Sequence, residues 1–180
     1  MKLNIGSGYN KIEGYLSVDI DTNCNPDFLF DIENDIWPFE NNSVDEVVLY
    51  HILEHIGDGY SKVIKELYRV CKPNALIYIK VPHHRHDSFF YDPTHKRAIV
   101  GESFYLLSKE YNNYFIENNF TTTTLAYIWE VDFEVMIVEN VMEDYFIDLL
   151  KDESEEYVKR YTSTHNNVIR EVFTQLKVIK

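Results

Sequence analysis

Short apolar runs that close on turn residues, with one clear helix set between them, constrain this chain more than any other feature. Lys2 to Ile5, Tyr15 to Asp19 and Phe28 to Phe30 have strand length, and each ends near a Gly, Asp or Pro. A fourth run, Val44 to Leu49, sits inside "SVDEVVLYHILEHI". The period then changes. Tyr60, Val63, Ile64, Leu67 and Val70 share one helical face. "KPNA" ends that helix, because Pro73 cannot continue it and Asn74 tolerates a left-handed backbone. The fifth strand, "LIYIKV", stops at Pro82. Strands alternating with helices imply an α/β domain with a mostly parallel sheet.

The second half reads less cleanly. His83 to Gly101 is polar and aperiodic, and a connection of that length usually carries function or moves. Phe104, Leu107, Tyr111 and Phe115 predict a helix, and "FTTTTLAYIWEVDFEVMIVE" predicts strand, with room for a hairpin. Met142, Tyr145, Phe146, Leu149 and Leu150 begin an acidic amphipathic helix running towards Tyr161, with "KDESEEY" on its solvated face. "VIREVFTQLKVIK" predicts a last strand. At 180 residues the chain is expected to form one domain, 1–180, in which 83–101 is an acceptor-site loop and 120–180 holds the C-terminal strands and acidic helix.

Composition narrows the partners. A formal net charge of -13 and the lack of any extended Lys/Arg cluster argue against nucleic acid, whose phosphates need a basic face. Cys24 and Cys71 have neither zinc nor redox spacing and read as reduced thiols. With no signal pattern and no apolar run of spanning length, the expectation is a cytoplasmic protein that does not enter a membrane.

"LNIGSGYNKIEGYLSVDID", residues 3 to 21, holds the most informative chemistry. In an open parallel sheet, ligands bind beyond the carboxyl ends of the strands. Gly6 and Gly8 follow the first strand, where glycine admits positive φ and close approach of a ligand. Asp19 ends the neighbouring strand, where a carboxylate can accept both hydroxyls of a ribose. The G-x-G-x-x-G fingerprint fails, because Lys11 stands at the third glycine and Asp19 comes too early. No phosphate-loop motif occurs. These residues fit a nucleoside-containing cofactor without a pyrophosphate cradle; a tight turn beside a surface Asp is the bland alternative.

With the later motifs added, the chain resembles a class I S-adenosylmethionine-dependent methyltransferase. "LNIGSG" resembles the first cofactor motif and "GYLSVDID" the second strand with its ribose-binding acid. "FLFDIENDIWPFENNSVDEVVLYHILEHI" resembles the third strand, its D-x-x-x-x-x-P-F turn and the fourth strand. "ELYRVCKPNALIYIKVPH" resembles the helix, turn and fifth strand that follow. The resemblance covers about the first half of the chain. It implies a Rossmann-like methyltransferase fold, mostly parallel with an antiparallel C-terminal strand, and S-adenosyl-L-methionine as cofactor. It places Gly6 and Gly8 by the methionine part, Asp19 by the ribose, Asp31 and Ile32 by the adenine, and Tyr50 and His51 by the sulfonium, with Ser7 and Ile20 as further cofactor-binding residues. Three features depart from the family: almost nothing precedes the first strand, Asn74 replaces a glycine, and ten residues between Gly8 and Asp19 leave the first crossover helix very short or lost.

Six of the seven histidines fall between His51 and His95. "HILEH" matches the H-x-x-E-H pattern of some zinc proteases, in which His51, Glu54 and His55 would need one helical face. "PHHRHDSFFYDPTHKR" follows the fifth strand, where the fold would place acceptor-binding residues. His83, His86, Asp92 and His95 are candidates to bind an acceptor, act as a general base or hold a metal. The reading adopted takes His83, His95 and Asp92 as catalytic and assigns no metal. The expected reaction is methyl transfer to an oxygen or nitrogen of a small-molecule or sugar acceptor. A catalytically idle cofactor-binding module and a zinc hydrolase are the alternatives.

Overall fold

The computed structural model describes residues 1–180. Strands β1 (Lys2–Ile5), β2 (Leu16–Asp19), β3 (Phe28–Leu29) and β4 (Val44–Tyr50) precede helix α1 (Tyr60–Val70) and strand β5 (Cys71–Pro82). Three short helices follow, α2 (Asp87–Tyr91), α3 (Lys109–Glu117) and α4 (Leu125–Trp129). Strand β6 (Phe133–Met142), helices α5 (Asp144–Leu150) and α6 (Glu155–Thr164), and strand β7 (Ile169–Val178) complete the chain. The sheet order is β3-β2-β1-β4-β5-β7-β6, and β7 alone runs against its neighbours. This is the expected mostly parallel sheet with an antiparallel C-terminal strand. No helix is long and apolar enough to cross a membrane.

One face of the sheet is buried. Leu3, Ile5, Val18, Val47, Leu49, Ile77, Ile79, Leu176 and Val178 align across the strands, against Val63, Ile64, Leu67 and Val70 of α1. The other face is covered at Asn4, Ser17 and Val48 and wet elsewhere. Lys2, Glu46, Tyr50, Tyr78, Lys80, Glu171, Phe173, Gln175 and Lys177 lie on it, and none is buried. Right-handed crossovers explain the asymmetry. The β1–β2 and β2–β3 connections cross that second face, and they carry no helix beyond a single turn at Thr22–Cys24. The crossover helix doubted in the sequence is therefore absent. A mostly parallel sheet is normally covered on both sides. Here Lys2 pairs with Glu46, Tyr15 bonds Glu46, Lys177 pairs with Glu134, and Lys80 lies over the Tyr50 ring. These contacts make the bare face compatible with water.

The helix α1 matches its expected span, and Asn74 does take a left-handed φ of 66°. Glu33 ties down the turn before α1, its Oε1 accepting from the backbone N–H groups of Gly57 and Gly59. The second half brings corrections. The apolar period through Phe104 and Phe115 is not one helix but a 3-10 segment, Gly101–Leu107, and then α3. Ser108 starts α3 by accepting from Tyr111 N–H, and Asp132 accepts from Lys109 N–H. Leu125–Trp129, expected as strand, is helical. Buried Asn112 holds it there by accepting from Ala126 N–H, a contact from 14 residues away that local propensity does not contain. No hairpin forms, since β6 pairs with β7. The acidic helix is two helices, because Ser154 caps α6 and places Glu155 and Glu156 in its first turn, where the helix dipole favours them. "KDESEEY" thus spans a helix start.

Candidate functional site

The backbone after β1 turns sharply. Gly6 has φ +66° and Gly8 φ +48°. A Cβ on Gly6 would lie 1.7 Å from Ile52 Cδ1, so Gly6 is required by packing as well as by conformation. A Cβ on Gly8 would meet nothing, which leaves the space beside it open. Gly6 and Ser7 both donate N–H to the Val18 carbonyl, fastening the turn to β2. Asp19 then closes the unit, its Oδ2 accepting from Gly8 N–H at 2.7 Å and its Oδ1 from Asp21 N–H at 2.9 Å. Each oxygen keeps a lone pair for a further donor.

This turn and Asp19 stand at the rim of a cavity of about 300 Å3, walled by Gly6, Val18, Asp19, Ile20, Phe30, Asp31, Ile32, Glu33, Ile52, His55, Ile56 and Lys96. The volume suits a small ligand. Asp31 follows β3 and is fixed by its own turn, accepting from the Glu33 N–H at 2.8 Å and the Asn34 side-chain amide at 2.7 Å. Burial raises its pKa, but these hydrogen bonds outweigh it and hold the carboxyl below its ordinary value. Trp37 is core rather than a cofactor stacker; its indole N–H donates to the Ile32 carbonyl and locks the turn that presents Asp31.

A second cavity adjoins the first, lined by Asn4, Gly6, Ser7, Asn10, Tyr50, His51, Lys80 and Glu171. It brings Ser7, Tyr50 and His51 together on the side of Gly6 away from Asp31. His51 has φ +59°, unusual for a residue with a side chain. Its Nε2 lies 3.1 Å from Glu171 and its Nδ1 3.5 Å from Glu54, and the two carboxylates, Glu54 first, raise its pKa.

The third cavity is polar except at Pro82. His51, Glu54, His55, His86, Ser88, Asp92, His95, Glu143, Arg170 and Glu171 line it together with Pro82. Asp92 and His95 are where the sequence led us to expect acceptor chemistry. His83 is not. It is buried, lines neither this cavity nor the first two, and its Nδ1 faces the Arg85 N–H. Burial, ahead of the neighbouring His84 and Arg85, depresses its pKa to about 4. A buried neutral imidazole turned from the cavity does not suit the general-base role given to it. The zinc-protease geometry is also missing: His51 sits in a bend and His55 ends a three-residue 3-10 turn, so no helical face holds both.

Sequence reasoning missed Ile52, Ile56, Glu33 and Lys96. The isoleucines sit among ordinary apolar residues with no separate signal. Lys96 reaches the cavity only because its N–H and that of Arg97 bond the Glu54 carbonyl, folding the loop back 42 residues.

Residues 17–79 match the family model described as a methyltransferase domain. Solved structures agree on the fold. A SAM-dependent methyltransferase from Archaeoglobus fulgidus aligns with TM-score 0.61 and 17% identity, over 98% of this chain and 85% of that one. A SAM-dependent methyltransferase from Methanosarcina mazei aligns with TM-score 0.58 and 15% identity, over 99% and 92%. Phosphoethanolamine N-methyltransferase 2 of Haemonchus contortus, solved with S-adenosyl-L-methionine, aligns with TM-score 0.51 and 16% identity, over 99% and 48%. No curated protein matches by sequence. The chain thus has the fold of the class I S-adenosylmethionine-dependent methyltransferases, and residues 17–79 carry the methyltransferase-domain match.

Proposed function

We propose that the chain methylates an oxygen or nitrogen of a small polar acceptor, a sugar or a polyhydroxylated or amino-bearing molecule. The observation that carries this reading is the polar cavity, about 320 Å3 in volume, which shares His55 with the Asp19 cavity and His51 with the Tyr50 cavity. Its lining holds no apolar side chain apart from Pro82, so an acceptor would be recognised by hydrogen bonds rather than by hydrophobic burial.

Within the proposal, Asp19 and Ile20 hold the ribose, Asp31 and Ile32 the adenine end, and Gly6, Ser7 and Gly8 the methionine tail. Tyr50 and His51 face the sulfonium. The cofactor supplies an activated methyl group. The chain's own contribution is to align an acceptor nucleophile behind that carbon, and most of the rate comes from positioning. Asp92 and His95 are the groups available to take the acceptor's proton. The net negative charge disfavours a nucleic-acid substrate and does not repel a cationic sulfonium. Two unpaired cysteines fit a cytoplasmic setting.

Calorimetry with S-adenosylhomocysteine tests the cofactor arrangement. Asp19→Ala is expected to weaken binding by about 1–3 kcal/mol, the cost of losing hydrogen bonds to a charged group. Unchanged affinity in a folded variant removes Asp19 from the ribose site. Release of S-adenosylhomocysteine from pools of sugars, small alcohols and amines tests the acceptor. Turnover confined to a macromolecular substrate overturns the small-molecule reading.

A further inference from the structure

The least comfortable side chain in the protein is Glu54. It is 1% exposed, and neither carboxylate oxygen has a hydrogen-bond partner. An uncompensated buried carboxylate is costly, and proteins normally neutralise it by pairing or by coordinating a metal. The nearest cationic candidate, His51 Nδ1 at 3.5 Å, stands beyond good hydrogen-bond distance.

Two other ligand atoms converge on Glu54. One from His55 and one from His95 lie with a Glu54 oxygen so that all are within 4.8 Å of one another. The rings of His55 and His95 meet edge to face at 4.6 Å. Both imidazoles are oriented by their other nitrogen. His95 Nδ1 lies 2.7 Å from the Phe89 carbonyl, which can only accept, so Nδ1 carries the proton and Nε2 keeps its lone pair. His55 Nδ1 lies 2.9 Å from Thr94 Oγ1, and that hydroxyl donates to Asp92 Oδ1 at 2.7 Å. Thr94 therefore accepts from His55, and Nε2 is free there too. A carbonyl or carboxylate that fixes the far nitrogen of an imidazole is the usual support behind a metal-bound histidine. The fold holds the set together, since Lys96 and Arg97, next to His95, donate their N–H groups to the Glu54 carbonyl.

We infer that Glu54, His55 and His95 bind a divalent first-row transition ion of the Zn2+ or Co2+ type. Two neutral imidazoles and one carboxylate are the donor set such ions favour, and three protein ligands leave a position open. The ion's charge offsets the buried Glu54 carboxylate. The set differs from the H-x-x-E-H reading, because His95 from the distant loop takes the place of His51. On the methyl-transfer reading, the open position takes the acceptor hydroxyl and lowers its pKa. Its proton passes to Asp92, which lines the same cavity, because a metal-bound His95 no longer serves as the base. The oxygen then forms a bond to the methyl carbon as the carbon–sulfur bond breaks, the electron pair staying on sulfur.

Untagged, chelator-treated protein titrated with Co2+ in the absence of cofactor tests the site. The expected result is visible ligand-field bands of low-symmetry Co2+ that saturate at one ion per chain. Glu54→Gln and His95→Ala should both abolish those bands, and Thr94→Val should weaken Co2+ binding by about 10–100-fold. His165→Ala, remote from the site, should change nothing. If Glu54→Gln fails to fold, half-buried His95 carries the test. Absent bands, or bands that survive His95→Ala, overturn the inference and leave His51 as the nearest partner of Glu54. S-adenosylhomocysteine calorimetry on the same samples separates the two claims: Co2+ bound without affinity for the nucleoside supports the metal site and removes the cofactor arrangement instead.

Discussion

Gly6→Ala is the perturbation whose cost can be worked most directly from the structure. Two terms contribute. A left-handed φ of +66° costs an L-residue about 1–2 kcal/mol. The new methyl carbon would also lie 1.7 Å from Ile52 Cδ1 and 2.1 Å from Cγ1, which forces either the side chain or the turn to move. Overpacking of that kind costs about 1–3 kcal/mol, so the sum is about 2–5 kcal/mol. Ile52→Ala removes both clashing atoms and leaves Ile52 Cβ at 3.4 Å, an ordinary contact. In the double variant the steric term vanishes and the φ term stays. A double-mutant cycle in urea should therefore show a favourable coupling of about 1–3 kcal/mol. Gly6→Ala should also weaken S-adenosylhomocysteine, because Ile52 and the turn wall the same cavity, and Ile52→Ala should restore part of that loss. Additive effects within about 0.5 kcal/mol would refute the packing argument.

His83 predicts a pH dependence. Its folded pKa of about 4 lies below its ordinary value, so between roughly pH 6.5 and 4 the unfolded chain binds a proton that the folded chain refuses. Stability is lost across that window as pH falls. His83→Asn, which can still accept from Arg85, should show a smaller loss of urea midpoint there; an identical profile would mean that His83 is not the group responsible. On the wet face of the sheet, Lys80→Leu with Lys177→Leu should leave the fold intact but promote self-association, measured by light scattering, since both cations help to keep that face in water. A doubly substituted protein that stays monomeric at high concentration would show that the remaining polar residues suffice.

Much of the first half was legible because its signals are local. A period of two or of 3.6 residues reports its own element, which is why α1 and the strands before it fall where the pattern puts them. The Gly6–Gly8 turn and Asp19 were legible for a related reason: parallel neighbours bring strand ends to one edge whatever the intervening sequence does. The second half was decided by distant partners. Leu125–Trp129 has the residues of a strand and becomes a helix because Asn112 accepts its N-terminal N–H.

By itself, then, the sequence determined a parallel sheet, a turn and acid on its rim, and a histidine-rich loop after β5, all features carried by neighbours along the chain. Only the tertiary structure decided which histidines share a cavity. It turned His83 into the interior, and it folded His95 over Glu54 through backbone bonds spanning some forty residues. The physical reason is range: periodicity and turn chemistry act over a few residues, whereas burial and the pairing of a buried charge depend on what the whole fold brings alongside.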